Sequence, residues 1–62
     1  MPFDRVELSS PEGSRTLSVQ QFCDMPLADR LRAVLERRVN FFQGSTLVES
    51  REALKALRER AA

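Results

Sequence analysis

Apolar and polar residues alternate from Phe3 to Leu8, with Val6 and Leu8 on one side of an extended chain and Arg5 and Glu7 on the other. A period of two predicts a half-buried β-strand. Ser9-Ser10-Pro11-Glu12-Gly13-Ser14 then gathers turn-forming residues. Pro11 suits the second position of a type I turn and Gly13 the fourth. Arg15-Thr16-Leu17 can return as a second strand, which makes an N-terminal β-hairpin.

The period changes after Leu17. Ser18-Val19-Gln20-Gln21 has the form of a capping box, with the Ser18 hydroxyl on the Gln21 amide and the Gln21 side chain reaching back. Leu17 and Phe22 stand where a hydrophobic staple needs them. A short helix is therefore expected from Val19, ending before Pro26 because the residue preceding a proline is pushed out of the α region. Val19, Phe22 and Cys23 share its inward face.

Pro26 is expected to open the main helix, where its missing N–H is harmless. Leu27, Leu31, Val34, Leu35 and Val39 fall on one stripe, while Asp29, Arg30, Arg32, Glu36 and Arg37 mostly fall elsewhere. This is the clearest amphipathic pattern in the chain. Leu31, Val34 and Leu35 are expected to form its core face.

Two readings fit the stretch after Arg38. Phe41 and Phe42 can continue the helical stripe, with Gly44 as its C′ residue and Thr46-x-x-Glu49 capping a following helix. Alternatively, Val39-Asn40-Phe41-Phe42 and Ser45-Thr46-Leu47-Val48 are two strands joined at Gln43-Gly44. Their β-branched and aromatic content favours strands. So does the marginal stability of a lone two-stranded hairpin, which leaves the N-terminal strands in need of neighbours. Beyond this stretch Ser50 is a good N-cap, Glu52 suits a first turn, and Arg58 and Arg60 suit a last one. Ala53, Leu54, Leu57 and Ala61 make a narrow, alanine-rich stripe suited to close helix–helix contact.

The expected fold is thus a single small α+β domain over 1–62, mainly helical. Its elements are an N-terminal β-hairpin, a short helix, the main amphipathic helix, a short second hairpin and a C-terminal helix. The alternative is a mostly α arrangement with a helical hairpin at 27–61.

Composition narrows the function. The 62 residues include no His, Trp or Tyr and a single cysteine. A chain this short buries only about 60% of the surface its unfolded form exposes, and small domains commonly add disulfides, a metal or a partner. One cysteine makes no internal disulfide, and a zinc site without His would need carboxylates, which is unusual. Association is the remaining route, and no cofactor is expected. The N-terminus lacks the apolar run of a signal peptide, and no stretch approaches about 18 consecutive apolar residues. A cytoplasmic protein without membrane contact is expected, consistent with the scarcity of cysteine.

The side chains that carry chemistry have bland explanations here. Cys23 has no histidine to activate it and reads as a small buried hydrophobe. Asp24 and Asp29 flank the Met25-Pro26 corner, where acids favour the helix dipole. Gly13 and Gly44 lie too far apart for a phosphate loop. No enzyme is expected. Ten basic residues, nine of them arginine, face nine acidic ones for a net charge of +1. Acids are interleaved among Arg30, Arg37, Arg38, Arg51, Lys55 and Arg58, as on a solvated, self-paired surface rather than a phosphate-binding stripe.

Phe41-Phe42 is the most suggestive local feature. Neighbouring side chains on a strand point to opposite faces, so a strand sends only one ring into the core. The other, beside Leu47, would seed an apolar contact patch. The leading expectation is a non-catalytic protein-interaction module, a homodimer or a docking subunit of a larger complex. Its expected contact residues are Phe41, Phe42, Leu47, Leu54 and Leu57. A small DNA-binding regulator using the arginine-bearing helices is the alternative, and an antitoxin-like or inhibitor protein a weaker one.

Overall fold

Period-two patterning and turn chemistry set the architecture. The computed structural model describes residues 1–61, without the side chain of Ala61; Ala62 and the place of Ala61 in the alanine-rich stripe lie outside the described part. The elements are β1 (Arg5–Ser10), β2 (Gly13–Ser18), α1 (Val19–Asp24), α2 (Leu27–Leu35), β3 (Val39–Gln43), β4 (Thr46–Val48) and α3 (Ser50–Ala61). The strands form one antiparallel sheet in the order β2-β1-β3-β4. The fold is α+β, as expected, but at 43% helix it is not mainly helical. The sheet, not the helices, organises the core.

Both hairpins follow from their turn residues. Ser10 pairs with Gly13 across Pro11-Glu12, and Gly13 adopts φ +124°, a backbone conformation that L side chains rarely take. The Ser10 hydroxyl donates to the Gly13 carbonyl at 2.8 Å. The 39–48 region is a β-hairpin, not a helical one. Gln43 pairs with Thr46, so the turn is Gly44-Ser45, one residue later than expected. Gly44, with φ +60°, holds the first corner, the place of glycine in a II′ hairpin turn.

The registers put Val6, Leu8, Leu17, Val39, Phe41 and Val48 on one face of the sheet. All but Val48 are buried, and Phe3, Phe22, Ala33 and Ala53 complete the core over them. Three phenylalanines form its centre. The Phe41 ring meets Phe3 at 4.9 Å and Phe22 at 5.6 Å, both edge-on, a geometry that adds about 0.5–1.5 kcal/mol per pair beyond burial. The opposite face carries Arg5, Glu7, Ser14, Thr16 and Asn40, polar as an uncovered face should be.

α1 keeps its predicted start. The Ser18 hydroxyl accepts from the Gln21 amide at 3.1 Å, and the Ser18 amide donates to Gln21 Oε1 at 2.8 Å, a complete capping box. Leu17 and Phe22 are both in the core, as the staple requires. Helix starts elsewhere are displaced by one residue. The Arg30 amide donates to the Pro26 carbonyl, which makes Pro26 the N-cap of α2 rather than its first helical residue. The Ala53 amide donates to the Glu49 carbonyl, so Glu49 rather than Ser50 closes the first turn of α3. Ala53 marks close packing of α3 on the sheet side, next to β3, instead of the helix–helix contact expected.

α2 departs most from expectation. Leu31, Val34 and Leu35 do not form a core face: Leu31 is 51% and Leu35 81% exposed, and Val34 is only half-buried. Ala33 is the buried residue of this helix. At 100° per residue, Ala33 stands at one edge of the apolar sector and the leucines at the other. Ala33 enters the core cluster while the rest of α2 packs only sparsely on the other elements, and its leucines turn sideways. It ends in a Schellman motif, with the Arg38 amide on the Ala33 carbonyl and the Arg37 amide on the Val34 carbonyl. Arg37 supplies the left-handed residue, φ +58°, that glycine usually provides. This stop lets Val39, expected on the helical stripe, begin β3.

Candidate functional site

The structure scatters the five expected contact residues. Phe41 is 0% exposed and belongs to the core, so it offers no surface to a partner. Phe42 points to the open face of the sheet, opposite in direction to Phe41, and is half-buried. The Arg5 guanidinium lies over its ring, 4.7 Å from the centroid, a cation–π contact that already covers part of the aromatic face. Arg5 is held there by donating to the Gly44 carbonyl at 2.7 Å. Leu47, directly opposite Phe42 in register, is 61% exposed. These two make a small apolar corner on an otherwise polar face.

Leu54 and Leu57 lie on the other side of the molecule. Both are half-buried on α3, where they face α2 across a groove of about 460 Å³. Phe22 closes the floor of that groove, and Leu27, Leu31 and Val34 of α2 line it opposite. Leu35 lies outside the groove and extends the apolar surface along the helix. Leu27, at 61% exposed, Leu31 and Leu35 recur every four residues, which places them in one row along the helix. A single exposed leucine needs no explanation, but three in a row beside a groove form an unpartnered apolar surface.

The charge in the groove is of one sign. Arg30 and Arg58 line it, and no carboxylate does. The Arg38–Glu36 contact at 2.8 Å is the only ion pair among the described residues, so neither groove arginine has an acidic partner. The Arg30 Nε–H is shut off from water and finds no acceptor. A buried donor left without a partner costs on the order of 1–3 kcal/mol.

Sequence reasoning missed Leu27, Leu31 and Leu35 as surface residues by assigning their whole stripe to the core. No local signal in the sequence could have found them, because α2 carries an alanine at each edge of its apolar sector, Ala28 and Ala33, and only Ala33 is buried.

A second recess of about 480 Å³ lies between the β1–β2 hairpin and α2. Its arginines, Arg15, Arg32 and Arg38, share it with Glu12 and Asp29. Arg38 is committed to Glu36 and to the Ser9 carbonyl. Cys23 is half-buried and unpaired, less enclosed than a fully packed hydrophobe. Asp24 accepts a hydrogen bond from Gln20 at 2.9 Å within its own helix. No three His, Cys, Asp or Glu side chains converge to hold a metal among the described residues. No described helix is long and apolar enough to cross a membrane. Comparison with protein families, curated proteins and solved structures found no match for this chain.

Proposed function

We propose that this chain is a non-catalytic protein-interaction module, cytoplasmic, whose docking surface is the leucine row of α2 and the groove between α2 and α3. One observation carries this reading: α2 turns Leu27, Leu31 and Leu35 outward and anchors itself through an alanine. Burying a leucine is worth about 1.5–3 kcal/mol relative to leaving it in water. A helix that leaves three uncovered forgoes several kcal/mol in the lone chain, and a partner that covers the row recovers it. Leu54 and Leu57 belong to this surface, while Phe42 and Leu47 form a lesser patch behind Arg5. The DNA-binding alternative has weaker support, because the arginines of the second recess are mixed with Glu12 and Asp29 and dilute any phosphate-facing stripe.

A photo-crosslinking amino acid tests the surface in living cells. Placed at Leu31 it should give covalent protein adducts, while at Glu7, on the open sheet face, it should give few. Adducts from position 7 with none from position 31 would reject the proposal.

A further inference from the structure

We infer that the groove takes an amphipathic helix whose apolar stripe is flanked by carboxylates, supplied by a different protein rather than by a second copy of this chain. This rests on the interaction reading above and specifies its partner. The first argument is charge. Arg30 and Arg58 line the groove with no acidic side chain among its lining residues, and neither forms an ion pair among the described residues. A partner bearing Asp or Glu at these places meets them with charge-assisted hydrogen bonds. The second argument is symmetry. A two-fold dimer sets the same patch against itself, which here brings four guanidinium groups together and contributes no carboxylate from the groove. Like charges juxtaposed across an interface select against that pairing.

The third argument is shape. From Leu27 to Leu35 the row runs about 12 Å along the helix axis at 1.5 Å per residue, and Leu35 lies beyond the groove. A small acidic amphiphile in the groove would leave Leu35 in water. A helix of two or three turns covers the row and presents its own residues at i, i+3, i+4 and i+7 to it.

Three helical peptides with the same leucine stripe, flanked by Glu, Gln or Lys, test this against the full chain by fluorescence anisotropy. The Glu peptide should bind about tenfold or more tighter than the Lys peptide, with the Gln peptide between them, and added salt should narrow the gap. Arg30→Gln with Arg58→Gln should remove most of the preference, and Leu31→Glu should abolish binding while the circular dichroism spectrum is kept. Equal binding of all three peptides overturns the acidic partner but leaves the docking surface standing. So does a concentration-dependent dimer that Leu31→Glu dissociates, since the occupant is then a second copy. Displacement of the Glu peptide by dodecanoate at comparable concentration, with no leucine dependence beyond the groove, overturns it in favour of a small acid. If no peptide binds and no dimer forms, this inference fails, and crosslinking from position 31 separately decides the interaction reading.

Discussion

On the covered face of the sheet, the large apolar side chains point inward and meet one another; along α2, Val34 packs against the core while the three leucines stand mostly in water. Phe3, Phe22 and Phe41 close on each other edge to face, while Leu27, Leu31 and Leu35 sit in a row facing water. A strand has only two faces, so once Val6 and Leu8 are inward every other side chain is decided. A helix can roll about its axis, and α2 settles with Ala33 in the core although the equally small Ala28, at the other edge of its apolar sector, stays exposed.

The sharpest way to break this contrast is to truncate one residue from each region. Phe41→Ala removes a fully buried ring and is expected to cost about 3–5 kcal/mol by chemical denaturation, enough to unfold a domain of this size. If it costs under about 1 kcal/mol, the aromatic core is not the centre of stability. Next in size is Ala33→Leu, which overfills the place of Ala33 in the core and should destabilise by about 1–3 kcal/mol. A neutral result would mean that α2 lifts off the core without resistance. Ser18→Ala removes one half of the capping box and should lower stability by about 1 kcal/mol, read as a shifted denaturation midpoint with unchanged slope.

Two smaller effects refine the picture of α2. Arg37→Gly relieves a left-handed residue and is expected to raise stability by about 0.5–1 kcal/mol. A loss instead would show that the arginine side chain holds something worth more than the strain. Leu35→Ala, at the most exposed leucine, should change the stability of the isolated chain by no more than about 0.5 kcal/mol. A large loss there would place Leu35 in a contact within the monomer or between copies, and concentration dependence of the midpoint would separate the two.

Legibility in the sequence followed the strength of local rules. Ser18 and Gln21 satisfy each other's backbone within one turn, so the start of α1 could be read without any tertiary knowledge. The Pro11–Gly13 turn and the opposite faces of Phe41 and Phe42 were readable for the same reason. The end of α2 was not, because neither glycine nor proline marks it and the left-handed residue there is an arginine. The roll of α2 was invisible to periodicity, which locates an apolar sector but not which edge of it touches the sheet. Only the α3 side of the candidate surface could be named: Leu54 and Leu57 line the groove. Leu27 and Leu31 could not be, since their exposure depends on where Ala33 docks. Phe42 and Leu47 were readable as a patch, but the Arg5 ring contact brings together residues far apart in the chain.

The crossed order of the sheet also sets a timetable. β1 pairs on one side with its immediate successor and on the other with β3, and the Gly44 amide donates to Asp4 while its carbonyl accepts from Arg5, separations of 40 and 39 residues. At a synthesis rate of about 5–20 residues per second, the β1–β2 hairpin, complete at Ser18, precedes that turn by roughly 1–5 s. Two strands alone are marginal in water, and the ring that Phe3 and Phe22 surround belongs to the late half. The early half of the chain has no stable resting place of its own, so released chains that end before Val39 should be digested by protease as readily as unfolded ones, with protection appearing only in chains that include β3 and β4.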